Sequence, residues 1–491
     1  MTEYLHGAYG DIQAAGAKAA AISRSAFVYI GTAPVHTVPG GSGRVNVPVL
    51  VNDISEATEK LGYSEDWASY TLCEAMHAHL EMGGVGPLVF INVLDPEKHK
   101  AAAPGNVKVK PVNGRAVIAA AGEIILDSLA ISGKEQGVDY DVHYNCAKET
   151  ITITERVRGG LGTAEITVTY DSVDPSAVTE EDVIGATDNE GLNTGVFAVR
   201  SVYPVTGMIP AYMLAPGFSS IPTVHDTMAA NSDNVGGHWM VYMLTDIPLT
   251  DASGSVSLGT AAAWKTANGY NQPNETPYFP LAMGIDGRVY HISVLAAANL
   301  QRLLLEHDGI PYHTASNTSA GIIKNLYMGE ANSARVYDEQ IINEKLNING
   351  IASACFAGGR WVIWGCHSGE FDAENGDSLN VFDTNRMMLH YLINDFQQRR
   401  AADIDKPMTA NGLKSIVAEE KARLDALLQI GALTYGEVFV DANRIARSDV
   451  MQGDFKFAFR ITTTPLAKSL TAVIYAVEDG YASYIAELAD N

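Results

Sequence analysis

The chain has 491 residues, of which 47% are hydrophobic and 18% are charged, and its formal net charge is −24. This length is typical of about two to four domains, and the composition is that of a globular protein with a large interior. The strong negative charge argues against a nucleic-acid-binding surface, which needs lysine and arginine to neutralise phosphates. Because we find neither an apolar run of about 18 residues nor a secretory leader pattern, we expect a protein made in the cytoplasm that does not insert into a membrane.

The four cysteines lie far apart in the sequence and form no C-x-x-C pair. Such spacing indicates neither a zinc site nor a disulfide framework. We therefore expect buried free thiols at Cys73, Cys146, Cys355 and Cys366, with disulfide bridges formed later, outside the cell, as the minor alternative.

The first elements predict a strand, a helix and a second strand. The stretch "SAFVYIGTAPV" places Phe27 and Tyr29 on one face of a strand and Val28 and Ile30 on the other. The stretch that follows, "SEATEKLGYSEDWASYTLCEAMHAHLEMGG", has helical spacing with Ser55 as its cap, and "PLVFINVLDP" is a buried strand. This order is typical of an α/β unit.

From about residue 105 the pattern changes to β-branched residues that alternate with polar ones between Gly and Asn turns. Such alternation predicts a small antiparallel β domain. Acidic residues are frequent from Glu123 to Glu190. They form either a solvated outer face or a surface for a cationic partner.

After residue 200 strands and helices alternate again, so the α/β core is predicted to be discontinuous in sequence. We assign the arm to residues 1–22, the core to 23–104 and 200–385, the inserted outer domain to 105–199 and the inner C-terminal domain to 386–491. In the last of these, "DFKFAFRITTTP" alternates strictly, and "SLTAVIYAVEDGYASYIAEL" is expected to add one or two further strands. So few strands leave open edges that another element must cover.

A search for catalytic groups finds one near match. In "APGFSSIPTVHD", Ser219 follows Gly217, and His225 and Asp226 are close in sequence. A nucleophile elbow requires glycine two residues after the serine, where this chain has Ile221. A serine hydrolase is therefore kept only as a minor alternative.

The candidate metal-binding patterns are also incomplete. His77 and His79 are two residues apart on a predicted helix and face different sides, which favours structural histidines. The segment "FDAENGDSLN", with Asp372, Glu374 and Asp377, departs from a calcium-binding loop and is expected to be a solvated turn. The Gly-rich stretches lack the pattern of a phosphate-binding loop. We predict no catalytic site, no cofactor and no metal.

Several segments resemble the tail sheath proteins of contractile phage tails, tailocins and related contractile injection systems. They are "LHGAYGDI", "VYIGTAPV", "KLGYSEDWASYTLCEAM", "GPLVFINVLDP", "MLAPGFSSIP", "LTDIP" and "INGIASACFAGGRWVIWG". In the last, a glycine turn precedes a strand with Arg360, Val362, Trp364 and Gly365 in an R-x-V-x-W-G pattern. The resemblance touches about two thirds of the chain, and residues 105–200 match only as a variable inserted domain.

This resemblance implies a structural virion protein rather than an enzyme. Sheath subunits assemble in the host cytoplasm as stacked, hexameric rings around an inner tail tube, in a metastable helical lattice joined to baseplate and terminator proteins. When triggered, the lattice contracts and drives the tube through the target envelope. A different virion or surface-layer protein is the alternative structural interpretation.

The resemblance also implies that the N-terminal arm and the C-terminal segment add strands to the sheets of neighbouring subunits, which would cover the open edges. Residues Ala14 to Ala21 are expected to be a hinge or a short helix. The arm contacts are then Tyr4, Leu5, Tyr9 and Ile12, and the strand-exchange residues are Phe455, Phe457, Phe459, Val473 and Tyr475.

The amphipathic helix predicted from Leu413 to Ile430 is the candidate for the face that contacts the tube. Its charged side is expected to carry weak, reversible contacts, although an ordinary solvated helix explains the pattern equally well. The residues concerned are Lys414, Glu420, Lys421 and Arg423.

Overall fold

A computed structural model describes most of the chain. The described residues are 25–252, 254–329, 337–373, 381–440 and 446–489. The predicted arm, with Tyr4, Leu5, Tyr9 and Ile12, lies outside them, as does most of the acidic segment after Asp372. Within this part of the chain, no helix combines the length and the apolar character needed to cross a membrane.

The first unit alternates strands and helices, as the sequence predicts. Asp53, not the expected Ser55, caps the first helix by accepting a hydrogen bond from the Glu56 amide at 2.8 Å. The expected single helix is interrupted at Gly62, whose φ of 75° ends the first segment. The second segment continues as a π-helix over Met76–Met82. The elements are β1 (Ser25–Gly31), β2 (Val49–Val51), α1 (Ile54–Leu61), α2 (Leu72–Ala75) and β3 (Leu88–Asn92).

Residues 105–170 form two three-stranded antiparallel sheets, ordered β4-β9-β6 and β5-β8-β7. Ile151 and Ile153 alternate with polar residues on β8 and pack in a hydrophobic cluster separate from the rest of the interior. The elements are β4 (Gly105–Val109), β5 (Arg115–Ile118), β6 (Ala130–Ile131), β7 (Tyr140–Asn145), β8 (Thr150–Glu155), β9 (Ile166–Tyr170) and, after them, α3 (Glu180–Ile184).

Residues 202–364 return to mixed helices and strands. The helices are α4 (Val202–Thr206), α5 (Pro222–Ala230), α6 (Ala261–Ala267), α7 (Ile292–Glu306) and α8 (Glu339–Lys345). The strands are β10 (Ile209–Leu214), β11 (Tyr242–Asp246), β12 (Thr250–Asp251), β13 (Gly254–Ser255), β14 (Glu275–Tyr278), β15 (Leu281–Gly284), β16 (Val289–His291), β17 (Ile323–Tyr327), β18 (Ser353–Ala357) and β19 (Arg360–Trp364).

A six-stranded sheet, ordered β14-β11-β10-β1-β3-β2, is the centre of the molecule. All neighbouring strands are parallel except β2 and β3. Three of the strands precede residues 105–170 and three follow them, so the sheet is discontinuous in sequence. Phe27 and Tyr29 of β1 pack in one hydrophobic cluster, whereas Val28 and Ile30 pack in the cluster on the opposite face. The mixed α/β architecture predicted from the sequence is confirmed.

The C-terminal part begins with two long helices, followed by a two-stranded antiparallel sheet. The prediction of further strands is wrong for the last segment, because residues after Asp479 form a helix, and residues 464–478 pair with no strand of the described chain. The elements are α9 (Asp383–Arg400), α10 (Ala410–Gln429), β20 (Leu433–Val440), α11 (Arg447–Gln452), β21 (Phe457–Thr463) and α12 (Asp479–Ala489).

Candidate functional site

The β20–β21 hairpin packs one face on the helices and exposes the other. On the inner face Val438 pairs with Phe459, and both join a hydrophobic cluster that includes Leu424 of α10. Gly436 permits this close approach, since a Cβ there would lie 3.3 Å from the Cβ of Leu424. On the outer face Glu437 pairs with Arg460 at 3.5 Å. The sheet is therefore built with an apolar and a solvated side.

β21 has an open edge, because β20 is the one strand that pairs with it in the described chain. Beside this edge, between β21 and α9, lies an open groove of about 480 Å³. All its lining residues are apolar: Leu389, Leu392, Ile393, Phe396, Phe455, Phe457, Phe459 and Ile461. An unpaired strand edge over an apolar groove is the geometry that accepts an added strand.

The three phenylalanines expected in the strand-exchange sheet all lie on this groove. The ring of Phe396 on α9 is 5.8 Å from Phe457 and 5.6 Å from Phe459, within the range of favourable aromatic contact. Phe455 precedes β21 and is only partly buried, like the other two. The groove wall is thus preformed by aromatic packing, but one side of each ring stays open.

The C-terminal segment leaves the body of the subunit soon after β21. After β21 the Thr464 hydroxyl donates to the Gly431 carbonyl at 2.6 Å, and the Lys468 ammonium lies 5.9 Å from the centre of the Phe371 ring. Beyond Lys468 the predicted exchange residues Val473 and Tyr475 are 68% and 80% exposed, and Ile474 is 90% exposed. Exposed apolar side chains in such a run are typical of a surface that contacts another protein.

Ion pairs hold α9 and α10 together beneath the sheet. Glu420, which is 2% exposed, accepts from Arg399 at 2.5 and 2.7 Å and lies 3.0 Å from Nε of Arg400. Arg423 reaches Asp395 at 2.5 Å. Although burial alone would lower it, the hydrogen bonds that Arg399 donates to Glu420 and the charge of Asp395 hold the pKa of Arg399 above its usual value.

This network corrects part of the predicted tube-facing helix. Glu420 points into the α9–α10 contact rather than outward, and Arg423 is partly buried beside Asp395 and Tyr391. Lys414 and Lys421 are exposed, one heptad apart on the outer side of α10. The apolar stripe of the helix is as expected, with Ile416, Leu424 and Leu427 buried.

The serine-hydrolase alternative fails on geometry. Ser219 is buried and its hydroxyl donates to Asp246 at 3.1 Å, not to His225. The His225 ring instead binds Glu275 at 2.8 Å and stacks on Tyr270 with ring centres 3.7 Å apart. A serine nucleophile of the proposed pattern needs a histidine base within hydrogen-bond reach and access to substrate, and the buried Ser219 has neither.

The remaining polar candidates are structural. His79 is buried between the Tyr29 hydroxyl and the Gln301 amide oxygen, each 2.6 Å away, and burial lowers its pKa to about 4. His77 pairs with Glu81 at 2.8 Å. All four cysteines are free, with Cys73 and Cys355 buried and the other two partly exposed. Among the described residues, no group of three or more His, Cys, Asp or Glu side chains is placed to hold a metal ion.

The sequence patterns did not identify the α9 side of the groove. Its four residues recur at i, i+3, i+4 and i+7, a spacing that also describes an ordinary core-facing helix. The signal that separates the two cases is structural, because Ile393 is 44% exposed although it belongs to this stripe. The four residues are Leu389, Leu392, Ile393 and Phe396.

Comparison with known proteins gives consistent results, although no protein-family model matches the chain. The tail sheath protein of Burkholderia phage BcepMu is 25% identical over 494 aligned positions, which cover 95% of this chain and 96% of that protein. This relative and two of the similar solved structures are sheath proteins, which are structural proteins and not enzymes.

Three solved structures share the fold over 97% of this chain. A chain of the anti-feeding prophage baseplate has a TM-score of 0.55 at 12% identity and is covered to 99%. The contracted helical sheath of the same particle has 0.53 at 13%, and the contracted sheath of the extracellular contractile injection system PVC has 0.54 at 10%, both covered completely. Over nearly its whole length the chain is thus similar in sequence to a phage tail sheath protein and shares its fold with two contracted sheaths.

Proposed function

We propose that this protein is the structural subunit of a contractile sheath. Its copies stack as rings around an inner tube, hold a metastable extended lattice and contract to drive the tube through a cell envelope. The named relatives support this, since two of the matching structures are sheaths in the contracted state. The tube and the baseplate and terminator proteins are its partners in the particle.

The observation that carries the proposal is the match between the groove and the C-terminal segment. Each subunit has an apolar groove beside an open strand edge and an apolar segment that leaves its own body. If the segment of one copy enters the groove of the next, the backbone groups at the β21 edge are paired and both apolar surfaces leave water. A chain of such exchanges produces a polymer rather than a closed dimer.

The exchanged segment also suits a lattice that changes its dimensions. Ten residues from Ser469 to Glu478 span about 33 Å when extended. A link of this length keeps neighbouring bodies joined while they rotate and re-pack, because only the link itself changes conformation. The exchange is thus proposed to persist in both states of the sheath.

We place the N-terminal arm in the same scheme. Tyr4, Leu5, Tyr9 and Ile12 are proposed to bind a neighbouring subunit, at the open edge of β20. The described residues, which begin at Ser25, form four hydrophobic clusters among themselves. Deleting residues 2–14 is therefore expected to leave a folded subunit that does not polymerise, as circular dichroism and sedimentation would show; loss of folding would contradict this.

We place the surface that contacts the tube on the outer side of α10 only. Lys414 and Lys421 are exposed there and can make weak ionic contacts that a moving tube breaks easily. Glu420 and Arg423 support this surface from below through Arg399 and Asp395.

Electron microscopy of the purified protein tests the proposed function. A sheath subunit should form long hollow helical tubes. Flat lattices would indicate a surface-layer protein instead, and particles of fixed size would indicate a closed oligomer. Either result would contradict the sheath proposal.

A further inference from the structure

The last helix carries an apolar stripe of its own. Tyr481, Tyr484, Ile485 and Leu488 recur at i, i+3, i+4 and i+7 on α12, and each is more than 60% exposed. Ser483 lies on the opposite side of the helix. This is the pattern of a helix that packs one face against another surface.

An eleven-residue helix is too short to be stable in water by itself, so it depends on packing of its apolar face. In the described part of its own chain, every side chain from Tyr481 to Leu488 is exposed. The surface that stabilises α12 must therefore come from elsewhere. In a homopolymer that surface is offered by a second copy.

The segment before α12 needs a device that fixes its register. Leu470 and Ile474 fall on one face of an extended chain, whereas Val473, Tyr475 and Val477 fall on the other. A slip by one residue along β21 would exchange two apolar faces at little cost. Pairing at the strand edge alone is thus poorly specified.

The residues that flank the groove strand differ in polarity at its two ends. Past Ile461 the chain continues with Thr462, Thr463 and Thr464. Before Phe455, by contrast, α11 exposes Val450 and Met451, which are 52% and 79% accessible. The apolar helix α12, which follows the exchanged segment, therefore fits at the α11 end of the groove. To reach that end, the exchanged segment must run antiparallel to β21.

Lengths agree with this arrangement. The groove side of the chain from Phe455 to Ile461 has seven residues, and the apolar segment from Leu470 to Val477 has eight. When Leu470 lies near Ile461, Val477 lies near Phe455, and α12 begins two residues later. Its length of about 16 Å then covers α11.

We propose that Tyr484 and Ile485 of α12 dock on Val450 and Met451 of α11 in a second copy of this chain, and that this contact sets the register of residues 470–477 in that copy's groove. The inference rests on the proposed function, since it requires that the subunits exchange their C-terminal segments. It adds a specific helix-to-helix contact that positions the exchanged strand.

Paired substitutions on the two faces of α12 test the contact. Ile485→Asp places a charge in the docked face, whereas Ser483→Asp places the same charge on the opposite face. We expect Ile485→Asp to raise the protein concentration needed for tube formation at least roughly tenfold and to abolish regular helical order in the tubes that form. Ser483→Asp should assemble as the wild type does. The unassembled subunits of both variants should have the melting temperature of the wild type.

Cysteine cross-linking is the second, independent measurement. Chains with Met451→Cys are mixed with chains with Ile485→Cys and assembled under oxidation, and each variant alone is the control because Cys146 and Cys366 are partly exposed. We expect a covalent species of twice the chain mass in the mixture only. A chain carrying both substitutions that cross-links without a change in mass would show docking within one chain and overturn the proposal.

Different outcomes contradict the sheath proposal and the docking of α12. If the wild type forms no tubes, the proposed function fails and this inference with it. If the wild type and both α12 variants form equally regular tubes, only the docking of α12 is overturned.

Discussion

Glu420 shows how a residue that a helical pattern places on the solvated side can be an internal support. It lies between Arg399 and Arg400 of α9, at the contact on which the β20–β21 sheet rests. A buried carboxylate with two guanidinium partners is stable because both charges and hydrogen bonds are satisfied. Removal of the carboxylate charge takes away a counterion that both arginines share. Each keeps another partner, Asp395 for Arg399 and Glu419 for Arg400.

We therefore expect Glu420→Gln to lower the free energy of unfolding by about 2–3 kcal/mol, less than for a fully buried pair because both arginines retain some exposure to water. Glu419→Gln, at an exposed neighbour that also pairs with Arg400, is the matched control and should change stability much less. Urea denaturation of the unassembled subunits measures both. Equal effects would show that the network contributes no more than a surface ion pair.

Asp383 at the start of α9 predicts a pH dependence of stability. Its carboxylate accepts from the Thr314 hydroxyl and the Thr384 amide, both at 2.6 Å, yet burial raises its pKa to about 7. The unfolded carboxyl titrates near pH 4, so the folded state binds more protons between about pH 4 and 7. The contribution of Asp383 to the free energy of unfolding is largest below about pH 4 and is lost as the pH rises from about 4 to 7.

Accordingly, the difference in melting temperature between wild type and Asp383→Asn should change with pH. Lowering the pH from 8 to 5 should favour the wild type relative to the variant, because only the wild type gains a proton at this site. Thermal melts in matched buffers measure this. A difference that is constant across the range would contradict the raised pKa.

At the scale of elements, α9 serves two surfaces. One side, with Met387 and Met388, packs in the interior, and another forms the groove wall. Ile393 is the most exposed side chain of that wall, so a substitution there should affect binding more than folding.

Ile393→Asp is expected to keep the melting temperature of the subunit and to block polymerisation, because the charge would be buried by an incoming segment. Ile404→Asp is the control, since Ile404 is exposed and does not line the groove. Sedimentation under assembly conditions measures both. Normal polymers of Ile393→Asp would rule out the groove as the binding site.

Sequence patterns predicted the elements in which one periodicity dominates. The two faces of β1 and the alternation of β21 follow from period-two patterns, and the buried stripe of α10 follows from a helical one. The patterns did not predict α12, because "YASYIAEL" combines β-favouring aromatics with helix-favouring alanines and depends on its partner surface. Nor did they predict Glu420, whose burial depends on arginines from another helix.

On the scale of the whole molecule, the described chain divides into a self-sufficient body and a segment that the body does not use. Residues after Lys468 belong to none of the four hydrophobic clusters of the described chain, and their large apolar side chains are exposed. Such a division is expected for a subunit whose last element completes a neighbour.

Deleting residues 469–491 should therefore leave the melting temperature of the subunit within about 2 °C of the wild type, because no packed contact of the body is lost. Polymerisation should be abolished. Differential scanning calorimetry and electron microscopy provide the two readings. A large loss of thermal stability would mean that the segment belongs to its own body.

The most direct measurement is a cryo-electron microscopy map of the assembled protein that resolves side chains at the groove between α9 and β21. The account predicts that density for residues 470–477 fills the groove, pairs with β21 and connects to the body of a neighbouring subunit. An empty groove in a well-ordered polymer, or a groove filled by the subunit's own segment, would contradict it.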